Sequence, residues 1–325
     1  MADNPRIGIT LGDPAGIGPE VVAKSLATGE VHKLAEPVVI GSAWAVEQGV
    51  NLIGSDLKVR RVESVEGAGK DPKTIDVLDN DAIKPEQIQW GVASAEGGKA
   101  QLSWNALADD LTEKGQIQGV VSCPVNSTAI KLAGIPPRDS AVEPGSTYLF
   151  LASGPLRVVH MTDHITVRES LDWITKANVN KVLDLMHSSL GEWGMPNPRI
   201  GVASFNAHGF GPEDENEVKP AVEEAKKRGI NASGPIPADS VFRQCIEGEY
   251  DIVLAMYHDQ GHIAVKTWGF IGNIALVLGS PYIRVSVAHG TAYDIVNKGI
   301  AHHEMILAAM KTTATLAAGK GFPKD

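Results

Sequence analysis

Short, apolar, largely β-branched runs recur along this chain, and most give way to a polar or glycine-bearing turn and then to helical spacing. Residues 6–11, 37–41, 119–126, 156–164, 199–205 and 250–254 are such runs. Stretches of this length that do not alternate with polar residues suit strands covered on both faces. Helical patterns stand between them, near 21–27, 43–49, 94–114, from about 167, and over 212–227. This alternation predicts an α/β protein with mainly parallel sheets. At 325 residues the chain exceeds one comfortable core, which predicts two domains.

Charge and cysteine usage narrow the function. The net charge is -10 and no block of Lys and Arg stands out, which argues against nucleic acid as the ligand. An anionic substrate would need locally placed cations, and Lys266 and Arg284 are candidates. Cys123 and Cys245 make neither a disulfide framework nor a CxxC site, and read as small buried residues of a reducing compartment. The first residues carry no signal-peptide pattern and no apolar run approaches membrane-spanning length. The expectation is a cytoplasmic protein with no membrane partner.

The run at 250–254 leads into Tyr257-His258-Asp259-Gln260-Gly261-His262. A buried strand there would deliver His258 and Asp259 at its carboxyl end, where open α/β sheets place their ligand crevices. His164 and His208 also follow apolar runs, and three imidazoles with an open fourth position suit a catalytic divalent metal. The spacing has no HExxH regularity, so ordinary strand-end histidines remain the alternative. His160, inside its apolar run, reads as a core histidine. Asp239 and Asp259 can orient a ligand or carry a proton. Lys266 can stabilise an alkoxide or enolate or act as an acid, and Arg284 can grip a carboxylate or phosphate bidentately. Glu213, Asp214 and Glu215, heading the charged helix over 212–227, read as a solvated face. The glycine-rich turn Gly12-Asp13-Pro14-Ala15-Gly16-Ile17-Gly18-Pro19-Glu20 is either an anion cradle or a tight strand-to-helix turn.

That turn occurs together and in order with Pro124-Val125-Asn126, Asn206-Ala207-His208, Tyr257-His258-Asp259-Gln260-Gly261, Pro281-Tyr282-Ile283-Arg284 and His289-Gly290-Thr291-Ala292. The set resembles the 4-hydroxythreonine-4-phosphate dehydrogenase family of vitamin B6 biosynthesis, nearly end to end. The resemblance implies a two-domain fold like isocitrate and isopropylmalate dehydrogenases, with a cleft between the domains. The first domain (1–127 plus 276–325) would carry the cofactor loop. The second (128–275) would carry the metal histidines and the dimer interface. The implied activity is NAD- or NADP-dependent oxidation of a secondary alcohol in a small hydroxy acid, followed by loss of CO2 in the vitamin B6 enzyme. By the same resemblance His164, His208 and His258 bind a divalent metal at a site shared across a homodimer, the last histidine coming from the other subunit. Imidazoles suit zinc, while related enzymes use weaker-binding ions such as magnesium or manganese, and cobalt is a further candidate. Lys266 and Arg284 match substrate-contacting residues, with Asp13 placed beside them. Lys266, Asp239 and Asp259 are the expected proton-handling groups. Residues 289–295 resemble an adenosine-binding loop, so His289, Gly290, Thr291, Ala292 and Asp294, with Asn126, are the expected cofactor contacts.

Several family positions differ. Residues 136–144 are shortened and lack a Gly-His-Thr-Glu motif that touches substrate in the family. Ser127 replaces a usual lysine, Ala275 falls where an asparagine is usual, and the loop after His208 is short. Metal and cofactor elements are thus kept while substrate-gripping ones change. Two substrate classes follow: a phosphorylated hydroxy acid, or the cis-dihydrodiol of an aromatic carboxylate such as terephthalate. The loop at 289–292 argues against acyl or phosphate transfer, and the retained histidines and Lys266 against a non-catalytic relative.

Overall fold

The computed structural model describes residues 4–136, 142–269 and 272–323. Its strands are β1 (Arg6–Thr10), β2 (Glu36–Ile40), β3 (Lys58–Val62), β4 (Thr74–Leu78), β5 (Gly119–Ser122) and β6 (Tyr148–Ser153). They continue with β7 (Leu156–His160), β8 (Ile200–Ala203), β9 (Ala232–Ile236), β10 (Ile252–Ala255), β11 (Ile274–Leu278) and β12 (Ile283–Val287). The chain divides into two compact units, Met1–Arg138 with Tyr282–Ala318, and Asp139–Pro281 with Gly319–Asp325.

In the first unit the strands run β3-β4-β2-β1-β5-β12, and every neighbouring pair is parallel. Ile7, Ile9, Val38, Val39, Val120 and Val121 have no exposed surface, as expected of strands covered on both faces. Helices Ala95–Glu113 and Glu304–Ala317 pack against β1 and β5. The first helix starts at Gly18, three residues ahead of the expected point, because Pro19 fits the first turn. Gly98 lets helix Ala95–Glu113 meet helix Ser127–Leu132, since a Cβ there would lie 2.1 Å from the Ala129 carbonyl oxygen. That packing keeps residues 128–132 with the first unit, beyond the boundary read from sequence.

In the second unit the order is β11-β6-β7-β10-β8-β9. Strands β7, β10, β8 and β9 are parallel, whereas β6 pairs antiparallel with both β7 and β11. A boundary at 275/276 would cut β11, which stays in register with β6 as far as Leu278 opposite Tyr148. Residues 319–323 also return to this unit. The Gly321 amide donates to the Trp193 carbonyl at 2.6 Å, and Phe322 lies 5.5 Å from Phe150 with the Arg157 guanidinium over its ring. Leu151, Leu156, Val158, Val241 and Val253 form the core beneath.

Two local expectations need correction. The strand beginning at Leu156 ends at His160, four residues before His164, which sits in the loop that follows. The acidic stretch is not wholly a solvated face. A π-helical turn at Asp214–Val218 precedes helix Lys219–Lys227, and it turns Asp214 fully inward. There its carboxylate accepts from the Phe205 and Asn206 amides, both at 2.8 Å, and fixes the loop ahead of His208. Among the described residues no helix is long and apolar enough to cross a membrane.

Candidate metal centre and cofactor loop

Strand β10 is followed by Met256-Tyr257 and then by helix His258–Trp268, so His258 and Asp259 stand just beyond a strand's carboxyl end. The neighbouring parallel strand β7 delivers the loop that bears Asp163 and His164. Ligand atoms of Asp163, His164 and His258 lie within 4.8 Å of one another, and the two imidazole rings are 4.9 Å apart. Each histidine has its own carboxylate. His258 Nδ1 donates to Asp259 Oδ1 at 2.8 Å, and His164 Nδ1 lies 3.1 Å from Asp163 Oδ2. A carboxylate on Nδ1 fixes the tautomer that leaves the Nε2 lone pair for a cation. Two imidazoles and a carboxylate within this radius are a donor set that fits a divalent metal. The hydrogen bond from His258 also holds the Asp259 carboxyl below its ordinary range, and Asp259 fixes the His258 ring.

Behind this group lie two more histidines. His262, one helical turn after His258, stacks on it at 3.6 Å, and burial with the nearby His258 and Lys266 charges pushes its pKa down to about 4. His160 is the expected core histidine, 1% exposed, and its Nδ1 donates to the Leu149 carbonyl at 3.1 Å. Burial lowers its pKa from 6.5 to about 3. The unfolded chain therefore binds a proton at His160 between these pH values while the folded chain does not. The associated stability is complete above 6.5 and is lost as pH falls towards 3. At pH near 4.5 the loss is roughly 3 kcal/mol. Thermal melts of the metal-free protein should fall more steeply with acid than those of His160→Gln; parallel slopes would show that His160 does not stay neutral.

The remaining sequence candidates of the second unit are placed differently. His208 lies in the turn Ala207–Gly209 at φ 54°, exposed, and does not join the Asp163–His164–His258 group. Asp239 is exposed in the first turn of helix Ala238–Ile246 and is likewise outside the group. Lys266 is exposed on the helix face of His258 and His262, at the i+8 position.

In the first unit the glycine-rich turn is docked on the 289–295 loop. Ile17 N donates to the Thr291 carbonyl at 3.1 Å, and a Cβ on Gly16 would come within 2.9 Å of Thr291 Cβ. Asp13 was expected to touch substrate, but it is 1% exposed and fully engaged inside this unit. Its carboxylate accepts from Ala15 N at 2.8 Å, Tyr293 Oη at 2.6 Å and Gln101 Nε2 at 3.3 Å. Burial raises its pKa against the pull of those hydrogen bonds, and burial beside Asp13 raises that of Tyr293. Asp13 is thus a clamp between turn and loop. Asn126 is committed too, capping helix Ser127–Leu132 through Ala129 N at 2.9 Å and donating to Thr291 Oγ1 at 3.2 Å. Ala292 is left-handed at φ 44°, Asp294 is exposed, and Gly290 is open, with nothing within 4 Å of an added Cβ. His289 Nε2 is buried without a protein partner. An unfilled ring nitrogen beside open backbone fits an adenosine-bearing cofactor.

Loss of the Tyr293 hydroxyl would leave the buried Asp13 carboxylate short of one hydrogen bond, at a cost of about 1–3 kcal/mol. Tyr293→Phe should raise the KM for nicotinamide cofactor by roughly fivefold or more with little change in kcat. An unchanged KM in steady-state kinetics would disprove the clamp's role.

Residues 33–313 match the family described as Pyridoxal phosphate biosynthetic protein PdxA. The chain belongs to this family. It is similar to a protein of Novosphingobium aromaticivorans that bears the name "Putative 4-hydroxythreonine-4-phosphate dehydrogenase", with 45% identity over 98% of this chain and 96% of the relative. It is also similar to the D-threonate 4-phosphate dehydrogenase of Cupriavidus necator, 38% identical over 96% of this chain and 97% of that one. Among solved structures, a 4-hydroxythreonine-4-phosphate dehydrogenase from Burkholderia phymatum superposes with a TM-score of 0.85 at 35% identity, covering 96% of this chain and 98% of that chain. The PdxA family thus accounts for both units.

Within the PdxA frame, Arg284 stands on β12 with Nη1 donating to Ser122 Oγ at 2.9 Å, while Nη2 pairs with Asp109. An anion reaching it would compete with that carboxylate. Of the altered family positions, Ser127 opens helix Ser127–Leu132 and Ala275 lies on β11, while residues 137–141 of the shortened stretch lie outside the described residues. Sequence reasoning missed Asp163 as a possible ligand, His262 behind His258, and Tyr293 with Gln101 on Asp13. The i, i+4 spacing of His258 and His262 was the available signal for the second of these.

Proposed function

We propose that this PdxA-family chain is a metal- and NAD(P)-dependent dehydrogenase that oxidises the secondary alcohol of a phosphorylated four-carbon hydroxy acid, 4-hydroxythreonine 4-phosphate in the first instance. The observation that carries this reading is the Asp163–His164–His258 group, each of whose histidines is held by its own carboxylate. His164 and His258 with Asp163 would hold the ion, which when bound lowers the hydroxyl's pKa and stabilises the developing oxygen charge. Lys266, on the helix face of His258, donates a proton or a charge-assisted hydrogen bond to the reacting oxygen. Asp259 keeps the His258 ring in place, and the exposed Asp239 is available for proton exchange with solvent. Within the first unit, Arg284 can take an anion in exchange for Asp109, and the Asp13–Tyr293 clamp fixes the loop that receives the dinucleotide.

The reading includes a homodimer with a shared metal site. Phe210, Ile263 and Trp268 expose 79%, 65% and 50% of their surfaces, an apolar excess in the second unit suited to burial against another copy. The resemblance had the other subunit supply His258, whereas His258 stands with His164 in one chain; in this reading it is His208, apart from the group, that a second copy brings into place.

Two relatives, 45% and 38% identical, bear the names of phosphorylated hydroxy-acid dehydrogenases, which favours that class over dihydrodiols. The test is reduction of NAD and NADP by the purified, metal-replete protein on two panels. One holds 4-hydroxythreonine 4-phosphate and D-threonate 4-phosphate, the other cis-dihydrodiol carboxylates. Turnover of the first panel supports the proposal. Turnover of the second panel alone, or of neither, would overturn it.

A further inference from the structure

Three neighbouring parallel strands of the second unit, in the order β7-β10-β8, lead to the loops and helix that carry His164, His258 and His208. Pairing of β10 with β8 ends at Leu254 opposite Val202. Beyond that point a chain of side-chain hydrogen bonds laces the three segments together. Thr162 Oγ1 donates to the Met256 carbonyl at 3.3 Å, Met256 N donates to Gln260 Oε1 at 2.8 Å, and Gln260 Nε2 donates to the Ser204 carbonyl at 2.8 Å.

Gln260 is the link between β10 and β8, and its chemistry suits the place. Its amide offers an acceptor to one backbone N–H and a donor to one backbone carbonyl, whereas a carboxylate of the same shape could only accept. At the far end, Ser204 is fully buried and roots the His208 turn. Ser204 Oγ donates to the Asn206 carbonyl at 2.8 Å, and the same carbonyl accepts from Gly209 N at 3.1 Å, which closes the turn around His208. His208 has φ 54°, a conformation that a residue with a side chain keeps only where its surroundings hold it.

We propose that Gln260 is a positioning residue for the metal centre, which it serves by holding the His208 turn in register with the helix of His258. The inference rests on the reading that His208 is a metal ligand supplied by a second copy. Gln260 acts at one remove, through the Ser204 carbonyl. In each chain it ties the helix that bears His258 to the turn whose histidine completes the other copy's centre.

The test is a double-mutant cycle on the full-length protein, read as the cobalt(II) concentration that half-saturates the site by visible absorption, with bound metal checked by elemental analysis. Gln260→Glu keeps the size of the side chain and the acceptor for Met256 N but withdraws the donor from Ser204. It should weaken cobalt binding by roughly tenfold or more, as outer partners of metal ligands do. In a His208→Ala background the same substitution should have no further effect, because the residue it acts through is gone. Gln260→Met, which removes both bonds without adding a charge, should repeat the pattern. Native affinity in both Gln260 variants, or losses that add to that of His208→Ala, would overturn the role of Gln260 and leave His208 as a ligand. Native affinity in His208→Ala, or no saturable binding by the native chain, would overturn the underlying reading and this inference with it.

Discussion

His258→Ala should lose metal and turnover together while melting close to the native protein. The imidazole is the pivot of the candidate centre. It lies 4.9 Å from His164, is held by Asp259 and stacks on His262. Even outer partners of metal ligands cost 10–100-fold when removed, so deleting a ligand should reduce activity by more than about 10²-fold. The fold has little at stake. The side chain sits at the first residue of its helix, a quarter exposed, and the strand before it is buried through Ile252–Ala255 without its help. Metal content by elemental analysis, a thermal melt and NAD(P)H production decide the matter. A metal-replete, active variant would remove His258 from the site.

The largest stability effect at the site is expected from a single methyl group. In Gly261→Ala the new Cβ would lie 2.3 Å from His160 Nε2 and 2.8 Å from both His160 Cδ2 and Val158 Cγ1. The His160 ring cannot swing aside, because it is buried and tied to the Leu149 carbonyl. Helix His258–Trp268 must then back away from β7, taking His258 and Lys266 with it. Overpacking of this kind costs about 1–3 kcal/mol, and a melting point lower by roughly 2–5 °C is expected. Activity should fall in parallel, since small displacements of catalytic groups carry large rate penalties. Gly191→Ala is the matched control. It lies inside helix Lys176–Glu192 with nothing within 4 Å of its new Cβ, so it should stabilise by about 0.5–1 kcal/mol. A Gly261→Ala protein as stable as native would show that the helix and β7 tolerate separation.

What the sequence revealed of this fold follows from which forces act locally. Val38-Val39-Ile40 or Ile252-Val253-Leu254 announce buried parallel strands because both faces need apolar side chains. His164 and His258 could be picked out because each lies just beyond such a run. The antiparallel β6 was not recognised, since nothing local in Tyr148-Leu149-Phe150-Leu151 specifies the direction of its neighbours. Asp214 was misjudged for a related reason. Its helical context is acidic and amphipathic, and only the π-helical turn and the distant amides of Phe205 and Asn206 draw it inside. Asp13 was placed among the substrate contacts with Lys266 and Arg284, while its hydrogen-bond partner Tyr293 lies 280 residues away. Long-range partners of polar groups are what a single sequence hides.

The division of the chain into interleaved pieces also dictates an order of events at synthesis. Strand β5 receives β12 on its free side only after residues 139–281 have been made, and the second unit in turn waits for Phe322 to reach Phe150. Neither unit can close before residues 283–287 and Phe322 have been made. Throughout that interval β5 offers an unpaired edge of Val120 and Val121, a template for the wrong strand. Newly made chains are thus most vulnerable to mispairing in the middle of the first unit, and a holdase that shields this edge should raise the yield of native protein more than one acting on the completed polypeptide.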